Sequence, residues 1–160
     1  MEGVLGPVTA RLDANVHVVR GTALVPGTVN TSNQADFYVA LPAAANGVFA
    51  GAAAEDFFET GFAFASGTDP STVNGTTPAA PYNLATKRIA IVRRGRLPMT
   101  AAGAIADRAF VKIADTTGRV TAVGGESAGT IVNVIGQAMH PAAAVNDFVY
   151  VDIAPFVYKA

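Results

Sequence analysis

The chain has 160 residues, no cysteine and a formal net charge of −1, with 14% charged and 51% hydrophobic residues, many of them alanine. The absence of cysteine excludes disulfides and thiolate metal sites, and the near-zero net charge argues against general nucleic-acid binding. An average globular protein has about 25% charged residues, so this composition favours a protein that buries part of its surface against its own copies or a larger assembly.

The first 14 residues are expected to form an N-terminal arm, followed by a single β-rich domain over residues 15–160. Residues 1–14 carry apolar side chains without the period of a helix or a strand. They also lack the basic start and continuous apolar stretch of a cleaved signal peptide. Residues 40–54, the longest apolar region, are interrupted by proline, asparagine and glycine and are too short to span a bilayer.

Eight segments rich in β-branched and aromatic residues are predicted to be strands: residues 15–21, 36–41, 62–65, 88–95, 109–114, 119–124, 130–139 and 147–153. The later segments follow one another at about ten residues, which favours an antiparallel sandwich or barrel over βαβ units. The alanine-rich segments 52–62 and 100–109 predict at most one or two short helices. The predicted class is therefore all-β, a small antiparallel barrel or sandwich with long loops, among them the polar segment 66–83.

Two features of the second half predict local structure. The sequence DTTG at residues 115–118 lies between two strand-like runs, as in a β-hairpin. Residues 147–153, DFVYVDI, alternate along a strand. Val149, Val151 and Ile153 form the natural core face, whereas Phe148, Tyr150 and Asp152 form a partly hydrated aromatic face.

Residues 125–129, GESAG, match the G-x-S-x-G pattern around the catalytic serine of many esterases. In that elbow a helix follows the serine, whereas Ser127 is followed by the β-branched run TIVNVIGQ. The esterase triad also needs an acid and then a histidine after the serine, but His140 precedes Asp147. Ser127 is therefore interpreted as a turn residue between strands, and no enzymatic activity is expected.

No cofactor or metal ion is expected either. His17 and His140 have no acidic or histidine neighbour at metal-ligand spacing. The acidic trio Glu55, Asp56 and Glu59 is not surrounded by the alternating oxygen ligands of a calcium loop. No glycine-rich phosphate loop followed by Lys and Ser or Thr is present.

The charges are unevenly distributed along the chain. Residues 21–86 contain no Lys or Arg, whereas residues 87–119 contain eight. The two halves attract one another either within one fold or between neighbouring subunits. Arg93, Arg94 and Arg96 form the densest cluster, and two interpretations of it remain. They are either solvated side chains at the rim of a strand or partners of carboxylates across a subunit or capsid contact.

Residues 89–125 and 131–153 together resemble the capsid decoration, or cement, proteins of tailed phages. In that family a strand ending in glycine leads to an alanine–glycine turn, a strand, a D-x-x-G-type hairpin, an I-G-x-A segment and a closing strand. The corresponding residues here are Gly95, Ala101–Gly103, Val111–Ile113, Asp115–Gly118, Ile135–Ala138 and Val149–Ile153.

This resemblance implies a compact β-fold that forms homotrimers on the outer surface of an icosahedral head and stabilises the capsid. The implied partners are other copies of the chain and the major capsid protein, without direct contact to nucleic acid or membrane. The implied location is the virion, after assembly in the host cytoplasm. Strand addition by the arm is expected to contact the capsid, through Val4, Leu5, Pro7, Val8 and Leu12.

A β-rich carbohydrate- or receptor-binding module of a phage head fibre or tail is the alternative. Such sites present exposed aromatic residues. The chain has no tryptophan and four tyrosines.

Overall fold

The computed structural model describes residues 7–12, 18–28, 37–55 and 88–160. Every regular secondary-structure element within these ranges is a β-strand, which confirms the predicted all-β class. In chain order they are β1 (Val8–Leu12), β2 (Ala23–Pro26), β3 (Tyr38–Ala40), β4 (Gly51–Ala53), β5 (Arg88–Val92), β6 (Gly95–Thr100), β7 (Phe110–Ile113), β8 (Val120–Ala122), β9 (Ile131–Ala138) and β10 (Phe148–Lys159). Of the residues described, none belongs to a helix long and apolar enough to cross a membrane.

Strands β1 to β5 close into a small barrel in the order β1-β3-β2-β4-β5. β1 closes the ring, because it pairs in parallel with β3 and antiparallel with β5. An eight-stranded barrel is just wide enough for side chains to fill it, so five strands enclose only a packed interior. The side chains of this core are Ala10, Leu12, Val18, Leu24, Val39, Ala50, Ala53, Ile89 and Ile91.

Strand β1 corrects the predicted boundary of the N-terminal arm. Residues 8–12 belong to the barrel wall, with Ala10 and Leu12 buried in its interior. The sequence does not predict this strand, because the five residues VTARL are too few to show a clear alternation of polar and apolar side chains. The two strands that pair with it also come later in the chain. Residues 1–6 and 13–17 lie outside the described residues.

Strands β6 to β10 form a second, antiparallel sheet in the order β6-β10-β9-β7-β8. The predicted hairpin is confirmed, since β7 and β8 pair directly on either side of residues 115–118. The predicted alternation of β10 is confirmed too. Val149, Val151 and Ile153 are almost completely buried, while Phe148 and Tyr150 are exposed.

The barrel and the sheet share a wall of small residues. Ala23 of β2 and Ala52 of β4 belong to the core of the second sheet, although Leu24 and Ala53 beside them face the barrel interior. The backbone N–H of Ala23 donates a hydrogen bond of 2.8 Å to the carbonyl oxygen of Gly118, in the β7–β8 turn. The two layers therefore touch at backbone distance.

Asn46, in the connection between β3 and β4, fastens the barrel to β9. Its side-chain Nδ2 donates to the carbonyl oxygen of Ile131 at 2.7 Å, and its Oδ1 accepts from the N–H of Asn133 at 2.8 Å. The amide of Asn133 in turn donates to the carbonyl oxygen of Asn46 at 2.7 Å. Asn46 has a φ of 58°, a left-handed conformation that asparagine adopts more readily than most residues.

Some sequence predictions differ from the structure. Residues 88–95 form two strands rather than one, because the chain turns at Arg93 and Arg94 and continues as β6. Segment 100–109 forms no helix, and Ala101 and Ile105 make isolated bridges to other segments instead. Tertiary pairing thus overrides the helix propensity of alanine.

Other predictions fall partly or wholly outside the described residues. Residues 52 and 53 of the predicted helix at 52–62 belong to β4, and the described range stops at residue 55. The predicted strand at 62–65 and the polar loop at 66–83 lie wholly outside it.

Gly118 provides a test of the close contact between the layers. It has a φ of +77°, and a Cβ there would lie 2.5 Å from the carbonyl oxygen of Ala23. We expect Gly118→Ala to lower the free energy of unfolding by about 1–2 kcal/mol through the backbone conformation and by about 1–3 kcal/mol more through overpacking. Urea denaturation measures the loss.

Two matched glycine variants separate these effects. Gly125 has a φ of +74° with no atom within 4 Å of the added Cβ, so Gly125→Ala should show the conformational loss alone. Gly103 has neither a positive φ nor a close neighbour, so Gly103→Ala should change stability by less than about 0.5 kcal/mol. Equal losses for Gly118→Ala and Gly125→Ala would contradict the close contact.

Candidate interaction surface

The second sheet carries exposed aromatic side chains on the face opposite the barrel. An antiparallel sheet with one face on a core usually presents polar residues on the other. We call this surface the aromatic face. Its members, with exposed fractions, are Phe148 (60%), Tyr150 (50%), Phe110 (48%), Phe156 (41%) and Tyr158 (37%).

Register and ring contacts place these side chains on one side of the sheet. Gln137 of β9 is opposite both Phe110 of β7 and Asp152 of β10, so these three share a face. Phe148 and Tyr150 precede Asp152 at intervals of two residues and therefore point the same way. The ring of Phe156 meets that of Phe110 edge-to-face, with centroids 5.3 Å apart, and Tyr158 lies 6.4 Å from Phe156.

β-bulges on both sides of β9 support the far end of the aromatic face. The pairing of β9 shifts register between Val111 and Lys112 on β7, and between Ile153 and Phe156 on β10. A bulge of this kind changes which side chains of a strand point to each face. Val134 and Val132 then lie opposite Phe156 and Tyr158. Both valines are buried, yet neither belongs to the core of the barrel or of the second sheet.

His140 holds the other end of the aromatic face. Its Nε2 accepts a hydrogen bond from the backbone N–H of Tyr150 at 3.1 Å, and its Nδ1 lies 3.0 Å from the carbonyl oxygen of Pro141. The two contacts assign a neutral ring that carries its proton on Nδ1. The ring also packs against that of Tyr150, with centroids 5.6 Å apart. His140 thus acts as a packing residue here.

Charged side chains around the aromatic face occur in pairs of opposite sign. Lys112 donates to the partly buried carboxylate of Glu126. Arg96 of β6 is directly opposite Asp152 in the register of β6 and β10. The hydrogen bond from Lys112 lowers the pKa of Glu126, further helped by the backbone N–H of Gly124. The surface is therefore close to neutral.

The predicted arginine cluster is divided between two places. Arg93 and Arg94 are exposed in the turn between β5 and β6, and the guanidinium of Arg93 lies 5.3 Å from the centre of the Phe37 ring. Arg96 lies on β6 beside the aromatic face. We call Arg93 and Arg94 the basic turn.

The predicted arm residues are divided as well. Val8 is opposite Ile91 on β5, so the beginning of β1 lies beside the end of β5, where the basic turn starts. Pro7 and Val8 are exposed at this place. Leu12 is 1% exposed and is not available for a capsid contact, which corrects that assignment. Val4 and Leu5 lie outside the described residues.

The GESAG segment forms the turn between β8 and β9. Ser127 is exposed, and its carbonyl oxygen accepts a hydrogen bond from the N–H of Thr130 at 3.1 Å. Glu126, to which the sequence pattern assigns no role, folds back onto Lys112 of β7. In the part of the chain that the structure describes, no three His, Cys, Asp or Glu side chains form a group that could hold a metal ion.

A known phage structure has a similar fold. The chain is similar to the head fibre gp8.5 N base of bacteriophage phi29, with a TM-score of 0.55 over 92% of each chain. The two sequences are 14% identical, so the likeness establishes the fold alone. No family model matches the chain, and no curated protein matches it.

The lowered pKa of Glu126 predicts a dependence of stability on pH. A carboxylate whose pKa is lower in the folded state stabilises the protein above its unfolded pKa, which is 4.5 for a glutamate, and loses that contribution as the pH falls through the folded value. We expect Glu126→Gln to be less stable than the wild type at pH 7, and the difference to shrink below pH 4.5. Thermal unfolding from pH 7 to 3 measures it.

Asp107→Asn is the matched control, because Asp107 and its partner Arg108 are mostly exposed and 4.0 Å apart. Exposed ion pairs contribute little to stability. A Glu126→Gln variant that follows the wild-type pH curve throughout would refute a stabilising ion pair between Glu126 and Lys112.

Proposed function

We propose that this chain is a structural protein of a tailed-phage head, which binds the outer surface of the capsid as a trimer and stabilises it. The observation that carries the proposal is the fold that the chain shares with a phage head fibre base over 92% of both chains. The resemblance of residues 89–125 and 131–153 to capsid decoration proteins supports the same role independently.

The surfaces of the described residues suit binding rather than catalysis. The aromatic face offers large rigid rings, which contribute strongly to protein interfaces. Ser127 lies exposed in a turn, and Glu126 is held by Lys112. On this proposal Ser127→Ala leaves the function unchanged.

The basic turn is the proposed capsid contact. Arg93 and Arg94 are exposed beside Pro7 and Val8, so the two groups of residues assigned to capsid contact meet at one end of the barrel. Guanidinium groups bind carboxylates through two parallel hydrogen bonds, so acidic residues of the major capsid protein are the complementary partner.

A second candidate is a carbohydrate- or receptor-binding module of a head fibre. The exposed Tyr150 and Tyr158 favour it, because aromatic rings stack against ligands in such sites. Three of the five residues of the aromatic face are phenylalanines, however, and these offer no hydrogen bond to a sugar hydroxyl. Binding on a glycan array that is lost in Tyr150→Ala would favour this candidate.

Cosedimentation with expanded heads, assembled from the major capsid protein of the phage that carries this chain, tests the proposed function. We expect the wild type to bind at a fixed ratio to capsomers and to raise the temperature at which the heads disrupt. The double variant Arg93→Ala/Arg94→Ala should bind about tenfold more weakly, a loss of about 1.4 kcal/mol.

Arg108→Ala is the control, since Arg108 is exposed but belongs to the connection between β6 and β7 and not to the basic turn. It should bind like the wild type. A wild-type protein that stays in the supernatant at micromolar concentration would overturn the proposed function. Normal binding of the double variant would overturn only the assignment of the basic turn.

A further inference from the structure

We propose that the aromatic face is the surface through which copies of this chain bind each other, turned toward the axis of the trimer. This inference rests on the proposed function, because it assigns the surface of the trimer proposed above. Its partner is a second copy of the chain, in contrast to the capsid partner of the basic turn.

The area of the aromatic face is large enough for such a contact. An aromatic side chain has roughly 200 Å² to bury, so the exposed fractions of the five residues leave on the order of 450 Å² of aromatic surface open. Three such faces around the axis supply about 1,350 Å² in total, which is comparable with the roughly 1,200 Å² at which stable interfaces begin. Met139, which directly follows β9, is exposed as well.

The charges of the surface favour a copy of the chain over a charged partner. Lys112 is paired with Glu126, and Arg96 faces Asp152. A surface on which each of these positive charges lies beside a negative one attracts nucleic acid or an acidic protein only weakly, and it meets its own copy without strong repulsion. The depletion of net charge and the abundance of aromatic rings match the centre of a protein–protein interface.

The face, rather than the strand edge beside it, is the binding surface. β10 extends past β6 from Ala154 to Lys159, and no described strand pairs with this edge. Pro155 lies in this segment and has no N–H to donate, and the ladder is interrupted by the β-bulge. Proline and bulges are features that protect edges against strand addition. Side chains of the face therefore carry the contact.

Analytical ultracentrifugation of two double variants tests the inference. We expect the wild type to sediment as a trimer and Phe110→Ser/Phe148→Ser to associate at least about thirtyfold more weakly. These two residues are the most exposed phenylalanines of the face, so the fold should be retained, as circular dichroism and the melting temperature will show.

Val48→Ser/Val145→Ser is the matched control. Both valines are exposed, at 59% and 52%, and neither belongs to the aromatic face. The control should sediment like the wild type. The inference would be overturned if Phe110→Ser/Phe148→Ser still sedimented as a trimer, or if the wild type remained monomeric at high concentration.

A thiol-accessibility measurement does not depend on the folding of the double variant. The chain has no cysteine, so Thr100→Cys introduces one thiol on β6, opposite Phe148. Its reaction with a disulfide reagent should slow as the protein concentration rises through the association range. The thiol of Val145→Cys should react at a constant rate. Equal behaviour of the two thiols would refute the inference.

The capsid assay separates this inference from the proposed function. If the wild type binds heads but the thiol of Thr100→Cys stays accessible in the oligomer, only the assignment of the aromatic face fails. If the wild type binds no heads while the aromatic face still mediates self-association, the proposed function fails and the interface stands.

Discussion

The close packing of the barrel against the second sheet is the constraint on which the rest of the structure depends. The wall between them is buried on both faces, and Ala23 and Ala52 are its contacts with the sheet. Gly118 approaches so closely that its carbonyl oxygen accepts directly from the N–H of Ala23. Larger side chains at these positions would separate the layers and open cavities on both sides.

This packing explains why small residues occupy the wall between the two layers. The barrel interior receives Leu24 and Ile91, whereas the fully buried barrel residues that face the sheet are Ala23 and Ala52. Ala23 and Ala52 therefore reflect a short distance between the two layers. Alanine does not reflect helix formation here, and segment 100–109 shows this, since Ala101 and Ile105 serve as bridge positions.

The same packing explains which strands can be predicted from the sequence pattern and which cannot. β7 to β10 have one face on the barrel side and one face outward, so their residues alternate or carry β-branched side chains, and the sequence pattern identifies them. β2 and β4 have only four and three residues and lie in the wall between the two layers, and β4 consists of glycine and alanine alone. Such strands produce neither alternation nor β-branched enrichment, so the pattern misses them. It misses β1 for a related reason, since the barrel partners of β1 are distant in sequence.

The candidate surface is only partly predictable from sequence. The alternation in residues 147–153 identifies Phe148 and Tyr150. Phe110 joins them through its pairing with Gln137, whereas Phe156 and Tyr158 join only because the bulge in the pairing of β9 places Val132 and Val134 beneath the outer face. The run IVNVIGQA gives no sign of that bulge apart from its glycine, and a glycine within a strand equally marks a bend or a close backbone approach. The role of Glu126 depends on Lys112, which is 14 residues away in sequence.

The arrangement of β5, β6 and β10 links the two surfaces of the molecule. Gly95 is opposite Ile153 in the ladder, so the basic turn ends where the bulge of β10 begins. The chain thus passes within a few residues from an exposed cationic end of the barrel to a neutral aromatic sheet. Charge on a surface favours encounter with a partner of opposite sign, whereas buried aromatic area favours a long-lived contact. On the roles proposed above, the basic turn meets the capsid and the aromatic face meets other copies of the chain, so the two contacts do not compete for the same surface.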